Sequence, residues 1–98
     1  MIRTLFAASL LTAAVPAGAA PYYRAEPTAA PARSVVVTRD NVWRCGAEGC
    51  AAERASSRPA IACAALVREI GQLASFSAQD RAFGAEELAA CNRRARAD

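Results

Sequence analysis

The sequence contains no histidine and no lysine, and only one tryptophan and one methionine. Without histidine, a serine or cysteine nucleophile has no imidazole base beside it. No two cysteines stand two residues apart, so the usual zinc knuckle is missing. For the same reason no redox dithiol of that spacing sits at a helix N-terminus, where a thiol pKa would be lowered. There is no glycine-rich phosphate loop. The carboxylates Asp40, Glu48, Glu53, Glu69, Asp80, Glu86 and Glu87 show no paired spacing that would suggest acid–base work. No enzymatic activity, metal or cofactor is expected from such a chain.

Charge of one kind is also scarce. Every basic residue is arginine, and without Arg3 the balance is 11 arginines against 9 acids. That excess is too small, and too evenly spread, to indicate nucleic acid. Large apolar side chains are few as well. The hydrophobic fraction is 54%, but 27 of the 98 residues are alanine, which buries little area. A core built from Val35–Val37, Val42, Trp43, Ile61, Leu66, Val67, Ile70, Leu73, Phe76, Phe83 and Leu88 is marginal for a domain this small. Extra constraints are expected.

Four cysteines supply them. The first nineteen residues explain why these would be oxidised. Residues 1–19 read as a signal peptide: Arg3 is the positive start, an uncharged apolar run follows from Leu5 to Val15, and Pro16 breaks it. Ala17-Gly18-Ala19 is a small-x-small cleavage site. The apolar run spans about 16 Å as a helix, half of the roughly 30 Å of a hydrocarbon core. No stable membrane anchor is expected after cleavage, and no cysteine follows the run to carry a lipid. Four cysteines in a short exported chain argue for two disulfides.

Residues 20–34 hold Pro21, Pro27 and Pro31 among small residues, and read as a disordered linker. The expected domain is 35–95. Val35–Thr38 is β-branched and reads as a strand, Asp40-Asn41 as a turn or bulge, and Val42–Cys45 as renewed strand. If this is one continuous strand, Val37, Trp43 and Cys45 share its core face. Gly46–Gly49 then reverses the chain. Ser56-Ser57 before Arg58-Pro59 reads as a serine-capped helix start. That helix runs to Ile70, with Cys63, Leu66, Val67 and Ile70 on one side and Gly71 ending it. Leu73–Phe83 reads as a hairpin, with a capped helical turn at Ser77–Asp80 as the alternative. The last helix spans Ala85 to about Ala95, with Glu86 and Glu87 in its first turn and arginines at its end. Leu88 and Cys91 share a face there.

Two inward-facing helical cysteines favour Cys63–Cys91, leaving Cys45–Cys50 to bridge the turn. Pairing of Cys45 with Cys63 or Cys91 is the alternative. The fold class is therefore α+β: a small disulfide-stabilised domain with a short antiparallel sheet and two helices, after a leader and a linker.

Several residues together carry a resemblance. They are Arg39-Asp40-x-x-Trp43-x-Cys45, Cys50 with small residues after it, Ser57-Arg58-Pro59-Ala60-x-x-Cys63-Ala64-x-Leu66-Val67-Arg68, Phe76, and Leu88-x-x-Cys91-Asn92. The chain resembles a family of small uncharacterised signal-peptide-bearing proteins of Gram-negative bacteria. The resemblance implies an envelope location and a shared disulfide framework, and no activity. The leading functional expectation is a periplasmic or secreted binding or structural module, its partner a protein or other envelope component. Its candidate surface is Trp43, Arg44 and Glu48. Two other readings are a thiol-redox protein using Cys45/Cys50, and a small inhibitor that wraps a partner with its linker.

Overall fold

In Tyr23-Arg24-Ala25-Glu26, apolar and polar side chains alternate with the period of a strand, which sends the two kinds to opposite faces. The computed structural model, which describes residues 21–53 and 57–96, makes this segment β1 (Tyr23–Pro27). There follow β2 (Val35–Val37), β3 (Val42–Gly46), β4 (Gly49–Ala52), α1 (Pro59–Ile70), β5 (Leu73–Ala78), β6 (Arg81–Ala82) and α2 (Ala85–Asn92). The expected leader, residues 1–19, lies outside the described residues.

The strands form one antiparallel sheet in the order β2-β3-β4-β1-β5-β6. With two helices packed against β5, the domain is the expected α+β class. The expected linker needs correction, because β1 lies inside it and occupies the middle of the sheet. Its prolines bound the strand rather than forbid it. Pro21 precedes β1, and Pro27 closes it where the ladder slips from Glu26↔Ser75 to Pro27↔Leu73, a place where a missing N–H costs little. The slip leaves Ala74 as an extra residue on β5. It lets Leu73 and Phe76, three apart, both point into the core.

A second correction concerns β2 and β3. Asp40-Asn41 turns the chain back, so these are two paired strands with Val36 opposite Trp43 and Val37 opposite Val42. The reversal changes the parity. Val36 and Trp43 are buried at 0% exposure, while Val37 faces out at 64%. Thr38 holds the turn: its N–H and its hydroxyl both donate to the Asn41 carbonyl, and the Trp43 indole N–H donates to Thr38 Oγ1 at 3.3 Å.

An alanine-rich chain can still build a core because its few aromatics sit beside small residues. Tyr23 lies opposite Ala52 on one side and Ala78 on the other, and Ala25 lies opposite Cys50 and Phe76. Tyr23, Trp43 and Phe76 thereby gather with ring centroids 5.7–6.2 Å apart. Phe83 adds to Phe76 at 4.7 Å. Such pairs contribute about 0.5–1.5 kcal/mol each beyond their area. From α1, Ala62, Cys63, Leu66 and Val67 close the core, and Cys91 does so from α2.

Both helices are pinned. α1 starts at Pro59 with Arg58 in the cap position and no side-chain cap, so the expected serine cap is not used. Ser57 instead offers its carbonyl to the Tyr23 hydroxyl. Gly71, at φ +94°, ends the helix by donating to the Val67 carbonyl. The segment after it is the expected hairpin, β5 and β6. α2 ends at Asn92, short of the expected Ala95. There the Asn92 side chain acts as a strand partner: it accepts from the Leu73 N–H at 2.8 Å and donates to the Leu73 carbonyl at 2.9 Å.

Candidate functional site

The preferred cysteine pairing is the one present. Cys45 and Cys50 are directly opposed on β3 and β4, with Cα atoms 4.0 Å apart. Cys63 and Cys91 join α1 to α2 at a Cα separation of 6.0 Å. No free cysteine remains. Cys50 is 3% exposed, and Cys45 is half-buried. Two disulfides point to an oxidising environment outside the cytoplasm. No helix among the described residues is long and apolar enough to cross a membrane. No group of three or more metal-ligating side chains gathers among them.

The candidate surface residues divide between the faces of the sheet. Trp43 is wholly buried, so it is a core residue and takes no part in a surface. Arg44 points to the opposite face. The ladders align a row across that outer face: Val35, Arg44, Ala51, Arg24, Ser77 and Ala82. Two arginines stand over a small residue between them. Arg24, Glu26, Arg44 and Glu48 line a shallow hollow of about 670 Å³ floored by Gly46, Gly49 and Ala51. The structure thus brings Arg44 and Glu48 to one place. Gly49 is fixed there by geometry. Its φ is +112°, and a Cβ would lie 2.5 Å from the Ala25 carbonyl oxygen, so any side chain there strains the backbone. The face also exposes Val35, Val37 and Val42 at its β2 edge.

A second hollow, also of about 670 Å³, runs between the helices. On α1 it is lined by Ala60, Ile61, Ala64, Ala65 and Arg68, on α2 by Glu87, Ala90 and Cys91, and just past the end of α2 by Arg94; Phe83, Arg39 and Asp40 complete it. The spacing repeats on the two helices. Ile61, Ala64, Ala65 and Arg68 recur at i, i+3, i+4 and i+7 on α1, and Glu87, Ala90 and Cys91 at i, i+3 and i+4 on α2, so each set is one stripe. Sequence reasoning found the inner stripe of α1 and overlooked this outer one. The signal was there: from Pro59 to Val67 the helix carries no polar residue at all.

That run is unusual for a helix covering one face of a sheet. Such a helix needs a single apolar stripe, and one that is apolar all round is ordinarily buried. Here the inner side is covered, but Ala60 is exposed and Ile61 is 53% exposed. The arginines at the rim, Arg39, Arg68 and Arg94, are exposed too. Among the described residues the one ion pair is Arg33–Glu69 at 3.4 Å, and none of the three arginines is part of it. The Glu87 carboxylate accepts the Gly84 N–H and caps α2.

Tyr23 links the two hollows' supports, β1 and the entry to α1. Burial pushes its phenol above the ordinary value of 10.0; Tyr22 beside it pushes the same way, and the hydrogen bond with Ser57 pulls back.

Neither a curated protein nor a solved structure matches this chain. A family model does match, over residues 5–93, and the chain belongs to that family, a family of unknown function designated DUF8200.

Proposed function

We propose that this protein is a non-catalytic binding module, secreted or periplasmic, that presents the groove between α1 and α2 to a partner in that compartment. The observation that carries this reading is the uncovered outer side of α1, with Ile61 half in solvent beside three exposed arginines. The leader-like residues 1–19 and the two disulfides support the location. The lack of any histidine supports a role without chemistry. The wrapping-linker reading is weakened, because Tyr23–Pro27 is held between β4 and β5 and is not free to wrap anything.

One experiment addresses location and binding together. A photo-crosslinking residue is placed at Ala64 in the groove, or at Ala82 on the outer face, in the full-length chain expressed in its native host. The periplasmic and medium fractions are then probed after illumination. The expected result is oxidised protein in those fractions, with a discrete adduct from position 64 and none from 82. Retention in the cytosol with reduced cysteines would sink the location, and equal adducts from both positions would sink the groove.

A further inference from the structure

The groove has a shape and a charge that together select an occupant, and this deepens the binding reading on which it rests. We infer that the groove between α1 and α2 receives an amphipathic helix of a partner protein, with small apolar residues on its buried side and carboxylates along its flanks.

Three observations converge. The first is openness. The hollow lies between two helices and is only partly enclosed, whereas small-molecule sites enclose most of their ligand. A rod-shaped apolar surface fits a trough between two rods, and this is how helix-in-groove recognition works. The second is the floor. Ala60, Ala64, Ala65 and Ala90 carry only a methyl group each, so a third backbone can approach toward the short end of the usual 8–10 Å interaxial range. Ile61 and Phe83 provide the larger apolar contacts on the walls. The third is charge. Arg39, Arg68 and Arg94 sit on three separate segments around the rim and are not part of the Arg33–Glu69 ion pair. Asp40 and Glu87 are the acids nearby, and the Glu87 carboxylate already caps α2. A partner bearing carboxylates at the edges of its apolar stripe meets this rim with opposite charge, which guides encounter and fixes register.

The same rim disfavours a second copy of this chain. A two-fold contact would set the three arginines of one groove against those of the other, and like charges facing each other are costly.

The test uses the oxidised mature protein and two labelled helical peptides. They share an Ala/Leu stripe and differ only in flanks of glutamate or of lysine. Fluorescence anisotropy should show the glutamate peptide binding about tenfold or more tighter than the lysine peptide, with affinity falling as salt is raised. Arg68→Glu with Arg94→Glu should weaken it about tenfold or more, while Arg24→Glu, on the outer face of the sheet, should leave it unchanged. Both substituted arginines of the groove are exposed, and near-UV circular dichroism checks that the fold survives. Equal binding of the two peptides, indifference to the double reversal, or binding of neither would overturn the inference. So would a concentration-dependent dimer in sedimentation that Ala64→Glu abolishes. If the peptides fail but the photo-crosslinker at position 64 still yields its adduct, the partner chemistry is wrong and the groove remains a site. If both fail, the binding reading falls with it.

Discussion

Strand β1 divides the domain into halves that are stapled in different ways. On one side, β2, β3 and β4 form a meander closed by Cys45–Cys50, two residues already opposed in a ladder. On the other, α1 and α2 cover β5 and are closed by Cys63–Cys91, at a sequence separation of 28 against 5. The backbone hydrogen bonds of the meander fix its geometry, and the short bridge locks a register that exists without it. The helices have no ladder between them. Their packing offers small side chains, and the bridge with the Asn92–Leu73 pairing does what hydrogen bonds do in the other half. Of the two covalent links, the helical one therefore carries more of the fold.

Removing the bridges one at a time should break the comparison apart. Replacing Cys63 and Cys91 by alanine should cost about 3–4 kcal/mol by loop-closure entropy. Stability for so small a domain is on the order of 5 kcal/mol. Thermal unfolding followed by circular dichroism should show the double variant largely unfolded near 37 °C. Replacing Cys45 and Cys50 by alanine should cost about 2 kcal/mol and leave a cooperative transition. Equal losses in the two variants would mean that the halves depend equally on their bridges. The smallest effect concerns the seam itself. Tyr23→Phe removes one hydrogen bond between β1 and the entry to α1, worth about 1 kcal/mol. It should also change the alkaline limb of a stability profile. The folded-state pKa of Tyr23 is raised, so the stabilisation by its neutral phenol is fully present below the ordinary value of 10.0. It is lost as pH rises through the folded value. Urea midpoints measured from pH 7 to above pH 10 should fall less steeply in the phenylalanine variant.

The helical half is the more legible in the sequence. Helix periodicity is local, so Cys63, Leu66 and Val67 declare their shared face within one turn and a half, and the inward position of Cys91 beside Leu88 then suggests the bridge. The hairpin of β5 and β6 is local as well. The meander half was harder. Asp40-Asn41 is compatible with a bulge in one strand and with a reversal between two, and only the pairing partner of Val36 decides which side Val37 takes. β1 was hardest. Its alternation is clear in Tyr23-Arg24-Ala25-Glu26, but three nearby prolines argue for a linker, and nothing local says that β4 and β5 leave a gap between them. The groove was hidden for a similar reason. Arg39, Arg68 and Arg94 lie far apart in sequence and meet only through the fold.

The position of β1 also sets an order of events. Tyr23 pairs with Ala52 and Ala78, which lie 29 and 55 residues further on (52 − 23 and 78 − 23). For a chain that emerges N-terminus first, the strand that appears earliest is therefore among the last to find its place. Contacts this distant in sequence slow folding, and an unpaired strand is open to wrong partners while it waits. Arg24, Glu26 and Pro27 answer that hazard. On the finished sheet the two charges point outward and the proline marks an end, but before the sheet exists the same three residues discourage β1 from pairing with a neighbouring chain. The polar character that hides this strand from a reader of the sequence is the character that protects it during its delay.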